Sequence, residues 1–130
     1  WASREINMNE DLHDLILTTS WFNINRKYSY HGAHNHMPAL WSGVYYVQAT
    51  AGDAPIVFYD KNKIGGWPDC VIEKTEENEI NSSEVSIKPE TGMLLLFPSY
   101  FEHSVLQQRL DQERISISFN FSTSLKKKEF

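Results

Sequence analysis

Apolar and polar residues alternate with a period of two over much of this chain, the pattern of strands that show one face to a core and the other to water. Trp21–Asn25 (WFNIN), Ser42–Gln48, Pro55–Tyr59, Val85–Lys88 and Met93–Phe97 each read as strands, and ERISISFNFS, residues 113–122, is a long one with clean alternation. Turn residues separate them: Gly52-Asp53 within 49–54, Gly65-Gly66-Trp67-Pro68, Pro89–Gly92, Pro98-Ser99 and the RLDQE stretch at 109–113. Ser42–Gln48 and Pro55–Tyr59 are expected to pair as a hairpin across the 49–54 turn. One stretch departs from the period of two. In NEDLHDLIL, residues 9–17, the polar start Asn9-Glu10-Asp11 and the spacing of Leu12, Leu15 and Ile16 predict a short amphipathic helix. His13 falls among its polar positions and reads as solvated. The polar run EKTEENEINSSE, inside residues 60–84, reads as a long loop or a pair of short edge strands with a solvated charged face, and as a candidate lid. Short strands at intervals of about 8–12 residues indicate a mainly β protein, an antiparallel sandwich or barrel. A double-stranded β-helix of the jelly-roll, cupin-like kind with one short N-terminal helix is the architecture expected. It divides into an N-terminal helical segment (1–20), a β core (21–121) and a tail (122–130) whose lysines 126–128 read as a frayed end.

At 130 residues the chain is the length of a single domain. Its net charge of -5 excludes bulk attraction to a phosphate backbone, although a single unstacked base needs no such charge. Cys70 is the only cysteine, which excludes an internal disulfide and a thiolate zinc cluster and suits a reducing compartment, so a cytoplasmic location is expected. No apolar run approaches the roughly 18–20 residues that span a bilayer, and no membrane association is expected.

Candidate chemistry begins at HGAHNHMPAL, residues 31–40. In an extended chain residues two apart share a face, so His34 and His36 can reach one metal ion together. His103, beyond the apolar strand MLLLF, is a third imidazole at a strand end. Imidazole nitrogen suits iron, zinc, copper or nickel. The last strand adds a second feature: Arg114, Ser116, Ser118 and Asn120 share one face, while Ile115, Ile117, Phe119 and Phe121 share the other. That polar face is either the wall of a wet, cationic cavity, where a guanidinium beside a hydroxyl matches a carboxylate, or the solvent face of an edge strand. Trp41, Trp67, Tyr100 and Phe101 read as core, or as the lining of a substrate entrance.

Taken in order, His34-x-His36, SGVYYV (42–47), VFYD (57–60), TGMLLLFPSYFEHSV (91–105) and ERISISFN (113–120) resemble the 2-oxoglutarate and Fe(II)-dependent oxygenase family found among marine phage and bacterial proteins. The resemblance extends over about residues 21–121. It implies a double-stranded β-helix with iron at one end, held by a His-x-Asp or His-x-Glu pair and a distal histidine, and a basic residue on a later strand that meets the tail carboxylate of 2-oxoglutarate. On this pattern His34 is the first iron ligand and His103 the distal one. Arg114 and Ser116 grip the carboxylate, and Tyr46, or Tyr45 on the opposite parity, helps to hold the cosubstrate. Asn23, Asn25 and Asn120 are further candidates for polar contacts in the cavity. The departure is His36, which stands where the wider superfamily carries a carboxylate. Either it is itself a ligand, in a three-histidine site one unit more positive, or it lies behind a centre with two protein ligands. The resemblance implies a dioxygenase that uses Fe(II) and 2-oxoglutarate, in the host cytoplasm if phage-encoded. A cupin-like metal enzyme without 2-oxoglutarate, or a non-catalytic metal- or ligand-binding module, are the alternatives. The substrate and the oligomeric state, a homodimer included, are left open by the sequence.

Overall fold

The computed structural model describes residue 4 and residues 7–60, 75–76 and 82–127. The Gly65–Pro68 turn, Cys70 and most of the stretch read as a lid lie outside these residues. Among the described residues the strands are β1 (His13–Asn25), β2 (His31–His34), β3 (Trp41–Gln48), β4 (Ile56–Tyr59), β5 (Glu84–Ile87), β6 (Leu94–Pro98), β7 (Glu102–Val105) and β8 (Arg114–Leu125). They form two antiparallel four-stranded sheets, ordered β1-β8-β3-β6 and β2-β7-β4-β5. This is the jelly-roll architecture expected from the spacing of strands and turns.

Two expectations about local structure are corrected. Residues 9–17 do not form a helix. Asn9 does begin a turn, its carbonyl accepting from the Leu12 and His13 amides at 3.1 and 3.0 Å, but from His13 the chain is strand. β1 pairs with β8 from His13↔Leu125 to Asn25↔Arg114, and a cross-strand partner of that length outweighs the weak local preference for helix. A bulge at Thr18, whose hydroxyl donates to the Asn120 carbonyl at 3.1 Å, interrupts the ladder. The second correction concerns the hairpin. β3 lies between β8 and β6 in the first sheet, whereas β4 lies between β7 and β5 in the second, so the intervening turn carries the chain from one sheet to the other. Side chains hold that crossover: Asp53 accepts from the Thr50 amide at 2.7 Å and from Gln108 and Gln112, and Gln108 in turn accepts from the Ala54 amide at 3.2 Å.

The faces of the first sheet are inverted relative to the usual apolar-inside rule. On β1, Asn25 is 4% exposed while Phe22 is 74% and Ile24 55% exposed. On β8, Arg114 and Ser116 are buried at 2% and 1%. The polar faces of β1 and β8 therefore turn toward the second sheet. Apolar packing is concentrated on β3 and β6, in a cluster of Val44, Tyr46 and Ala49 with Met93 and Leu95 against it. Phe119 lies over Gly43 on the outer face, where a Cβ would come within 2.3 Å of the ring.

Candidate metal centre

β2 and β7 are antiparallel neighbours, with His34 directly opposite His103. His36 is beyond the end of β2, in a loop fixed by its own amide donating to the Ser99 carbonyl at 2.9 Å. His34 is thus the last residue of the strand, and His36 follows it outside the ladder. The ring centroids are 4.9 Å apart for His34 and His36, 4.5 Å for His34 and His103, and 5.2 Å for His36 and His103. One ring nitrogen from each lies within 4.8 Å of the others, so the three could hold one metal ion.

Local hydrogen bonds orient two of these rings. His34 Nδ1 donates to the Gly32 carbonyl at 2.7 Å and His103 Nδ1 to the Phe101 carbonyl at 3.0 Å. A carbonyl can only accept, so each Nδ1 carries a proton, and in the neutral form of either ring the lone pair is on Nε2. Such outer hydrogen bonds are how proteins fix the tautomer and orientation of a metal-binding imidazole. Burial pushes the pKa of His103 down to about 4; the Phe101 carbonyl opposes this, and His34, His36 and His31 add to it. Burial and then His34 lower the pKa of His36 as well. Neutral imidazole is the metal-binding form. Aromatic walls complete the centre: Phe97 and Phe58 stand 5.0 and 5.6 Å from the His103 ring, and Trp21 stands 5.6 Å from His36.

The same cavity, about 70 Å³, reaches Arg114, Ser116 and Tyr46 at its other end. Arg114 donates through Nη1 to the Ala54 carbonyl at 3.2 Å, which is where the 49–54 crossover bears on the site. Its guanidinium lies over the Tyr46 ring, 5.3 Å from the centroid. Burial lowers the Arg114 pKa, opposed by Tyr46 and Asp53, yet a guanidinium stays charged in proteins. Burial raises the Tyr46 pKa against the pull of Arg114, keeping the phenol neutral. Burial also disfavours the Asp53 carboxylate, but the bonds from Thr50, Gln108 and Gln112 outweigh it and hold its pKa below the usual value. Three buried polar atoms here, Arg114 Nε, Tyr46 OH and Ser116 Oγ, have no hydrogen-bond partner among the described residues. Each can donate, and buried donors left unmet are expensive, so this end has the character of an acceptor site for an anion.

The other residues singled out in the sequence divide by position. Asn23 lines the cavity and donates to Ser118 Oγ at 2.8 Å. Tyr45 is 39% exposed on the opposite face from Tyr46, which settles the parity between them. Asn120 is absent from the cavity wall. It accepts from Ser42 Oγ at 2.7 Å and donates to Thr19 Oγ1 at 3.0 Å, tying β3, β8 and β1 together. Trp41 is buried at 6% away from the cavity, and Tyr100 and Phe101 line a separate recess of about 610 Å³ with Phe58 and Tyr59. Sequence reasoning gave no role to His31, which lines the first cavity. His31 pairs with Val105 and His34 with His103, three positions along β2 against two along β7. This bulge turns both histidines inward, where a strict period of two would have turned only one of them. Asn25, the cross-strand partner of Arg114, lies with its amide 2.9 Å from His31 Nε2.

Comparison with known proteins follows this geometry. The family described as "Putative 2OG-Fe(II) oxygenase" matches residues 19–120. No curated protein sequence matches the chain. Among solved structures, an oxidoreductase of the 2OG-Fe(II) oxygenase family from Burkholderia pseudomallei superposes with a TM-score of 0.64 at 14% identity, over 88% of this chain and 48% of that one. A Pseudomonas putida prolyl-4-hydroxylase gives 0.60 at 16% identity, over 95% and 61%. The non-heme alpha ketoglutarate dependent epimerase SnoN from nogalamycin biosynthesis gives 0.62 at 14% identity, over 87% and 52%. The chain thus spans about half the length of these structural relatives, and at such identities the likeness concerns the fold.

Proposed function

The chain belongs to this family of 2OG-Fe(II) oxygenases, and on that premise we propose that it is a dioxygenase dependent on Fe(II) and 2-oxoglutarate that oxidises a C–H bond of its substrate. One observation carries the reading. A single cavity has three imidazoles with convergent nitrogens at one end and, at the other, a buried guanidinium, phenol and hydroxyl with unpartnered atoms. The donor set suits the group: neutral nitrogens accept iron, and the unmet donors match a carboxylate.

In this reading His34, His36 and His103 hold Fe(II), while Arg114 and Ser116, with Tyr46, hold the far carboxylate of 2-oxoglutarate. When bound, iron, 2-oxoglutarate and dioxygen supply the oxidation, in which 2-oxoglutarate becomes succinate and carbon dioxide. The chain's own part is orientation and the exclusion of water. The Gly32 and Phe101 carbonyls hold the Nδ1 protons of His34 and His103 and so aim Nε2 of each ring. Nη1 of Arg114 is fixed on Ala54, leaving the rest of its fork for a ligand. Phe58, Phe97 and Trp21 shield the imidazoles. His36 in place of a carboxylate leaves the centre one unit more positive, which favours an anionic co-ligand such as a 2-oxo acid.

The test is anaerobic ultraviolet-visible absorption with Fe(II), before and after 2-oxoglutarate. A weak visible band that requires both additions, is lost in His103→Ala and needs more 2-oxoglutarate in Arg114→Ala is the expected result. Metal binding with no such band would instead fit a cupin-like metal centre.

A further inference from the structure

We propose that His31, set in place by Asn25, is a fourth contact for the cosubstrate and fixes the length of 2-oxo acid that the cavity admits; this rests on the oxygenase reading above. The β2 bulge that faces His34 toward His103 also faces His31 into the same cavity. His31 stands between the two ends: it precedes His34 on β2, and its Nε2 meets Asn25, the cross-strand partner of Arg114. A molecule reaching from the imidazole triad to Arg114 must therefore pass its ring. In a cavity of about 70 Å³ an imidazole is a large part of the wall.

Asn25 gives that ring a fixed orientation. Its amide meets Nε2 at 2.9 Å, which leaves Nδ1 as the remaining polar atom of the ring. Asn25 is 4% exposed, and its other amide atom has no partner. With the Asn25 amide nitrogen donating to Nε2, a neutral ring carries its proton on Nδ1, and that N–H joins Arg114 Nε, Tyr46 OH and Ser116 Oγ as donors that one anion would satisfy together. The cross-strand partner of His31 is the apolar Val105, and among the described residues Asn25 takes up only one of its two ring nitrogens. A contact with ligand accounts for the other.

The test is calorimetric titration of the Ni(II)-loaded protein with 2-oxoglutarate and with 2-oxoadipate, one methylene longer, in wild type, His31→Ala, His31→Gln and Asn25→Ser. His31→Ala should bind 2-oxoglutarate about tenfold more weakly, the loss of one hydrogen bond to a charged group. It should also lower the preference for 2-oxoglutarate over 2-oxoadipate, because removing the ring lengthens the space. His31→Gln, which restores bulk and a donor, should recover most of both, and Asn25→Ser should give a smaller loss in the same direction. Affinity and preference within about twofold of wild type in His31→Ala would overturn the proposal. Should that variant not fold, wild-type preference in both His31→Gln and Asn25→Ser, together with full affinity, does the same. Wild-type protein that binds Ni(II) but neither acid would remove the oxygenase reading itself, and this proposal with it.

Discussion

Replacing Arg114 by Met separates what this residue does for stability from what it does for binding. In the protein alone Arg114 is 2% exposed, and its side chain makes one hydrogen bond among the described residues, to the Ala54 carbonyl. Its loss leaves that carbonyl unmet, which costs about 1–3 kcal/mol. Against this, a buried cation without an ion-pair partner carries a desolvation penalty of several kcal/mol, and Met fills much of the space with an uncharged chain. The two effects oppose, so the variant should be as stable as wild type to within about 1 kcal/mol, or more stable. Binding has no such compensation. If the guanidinium gives the far carboxylate two charge-assisted bonds of about 1.5 kcal/mol each, the loss is about 3 kcal/mol, or roughly 100-fold in Kd. Urea denaturation measures the first quantity, and calorimetric titration of the Ni(II)-loaded protein with 2-oxoglutarate the second. Arg114→Lys should fall between, since an ammonium supplies charge without the fork. An Arg114→Met protein that keeps its 2-oxoglutarate affinity to within about threefold would refute the reasoning. So would a binding loss matched by destabilisation of the same size, because Arg114 would then be a structural residue.

The remaining predictions concern the metal, the cavity wall and pH. His34→Ala, His36→Ala and His103→Ala should each weaken Ni(II) binding by more than about tenfold in a chelator competition, and an unaffected His36→Ala would move His36 out of the ligand set. Tyr46→Phe removes a buried hydroxyl with no partner, so thermal unfolding of the metal-free protein should be unchanged or raised while 2-oxoglutarate binds several-fold more weakly; a lowered Tm would show that the hydroxyl already has a partner. Asn120→Ala should destabilise by about 1–2 kcal/mol in denaturant through its bonds to Ser42 and Thr19 and leave 2-oxoglutarate affinity alone, and weakened binding would return Asn120 to the site. For the metal-free protein, the His103 pKa lies near 4 when folded against 6.5 when unfolded, so unfolding takes up a proton between those values. Its contribution is complete above pH 6.5 and is lost as pH falls to about 4, by about 3 kcal/mol. Denaturant midpoints that rise on acidification through that window would contradict the buried, neutral assignment.

Much of the architecture was legible in the chain. The period of two in WFNIN and RISISFNF reflects backbone geometry that any strand must obey, the β-branched and aromatic residues of SGVYYVQ suit a strand, and the turn residues between such runs mark where strands end. Three features were not legible, because each depends on pairing between segments far apart in sequence. Residues 9–17 carry both a helix start and an apolar spacing suited to a helix, and from His13 on they became strand because Phe121–Leu125 of β8 lies beside them. The 49–54 turn looked like a hairpin because a local sequence does not record that Asp53 is held by Gln108 and Gln112. His31 went unnoticed because an extra residue in β2 relative to β7 shifts the face it presents, and a bulge is a property of the pair.

The residues expected to share a site, His34, His36 and His103 with Arg114, Ser116 and Tyr46, do share a cavity. Alternation alone had sorted β8 into a polar and an apolar face without saying which faced inward. Burial of apolar area would ordinarily turn Ile115, Ile117, Phe119 and Phe121 to the interior. Here the inner face carries Arg114 and Ser116, and Phe22 and Ile24 on the neighbouring strand point out. The sequence by itself determined which side chains travel together, since side-chain alternation is a local consequence of an extended backbone. Only the packing of two sheets around a cavity decided which set lies inside, since that choice is settled by cross-strand partners and by the groups the second sheet brings to face them.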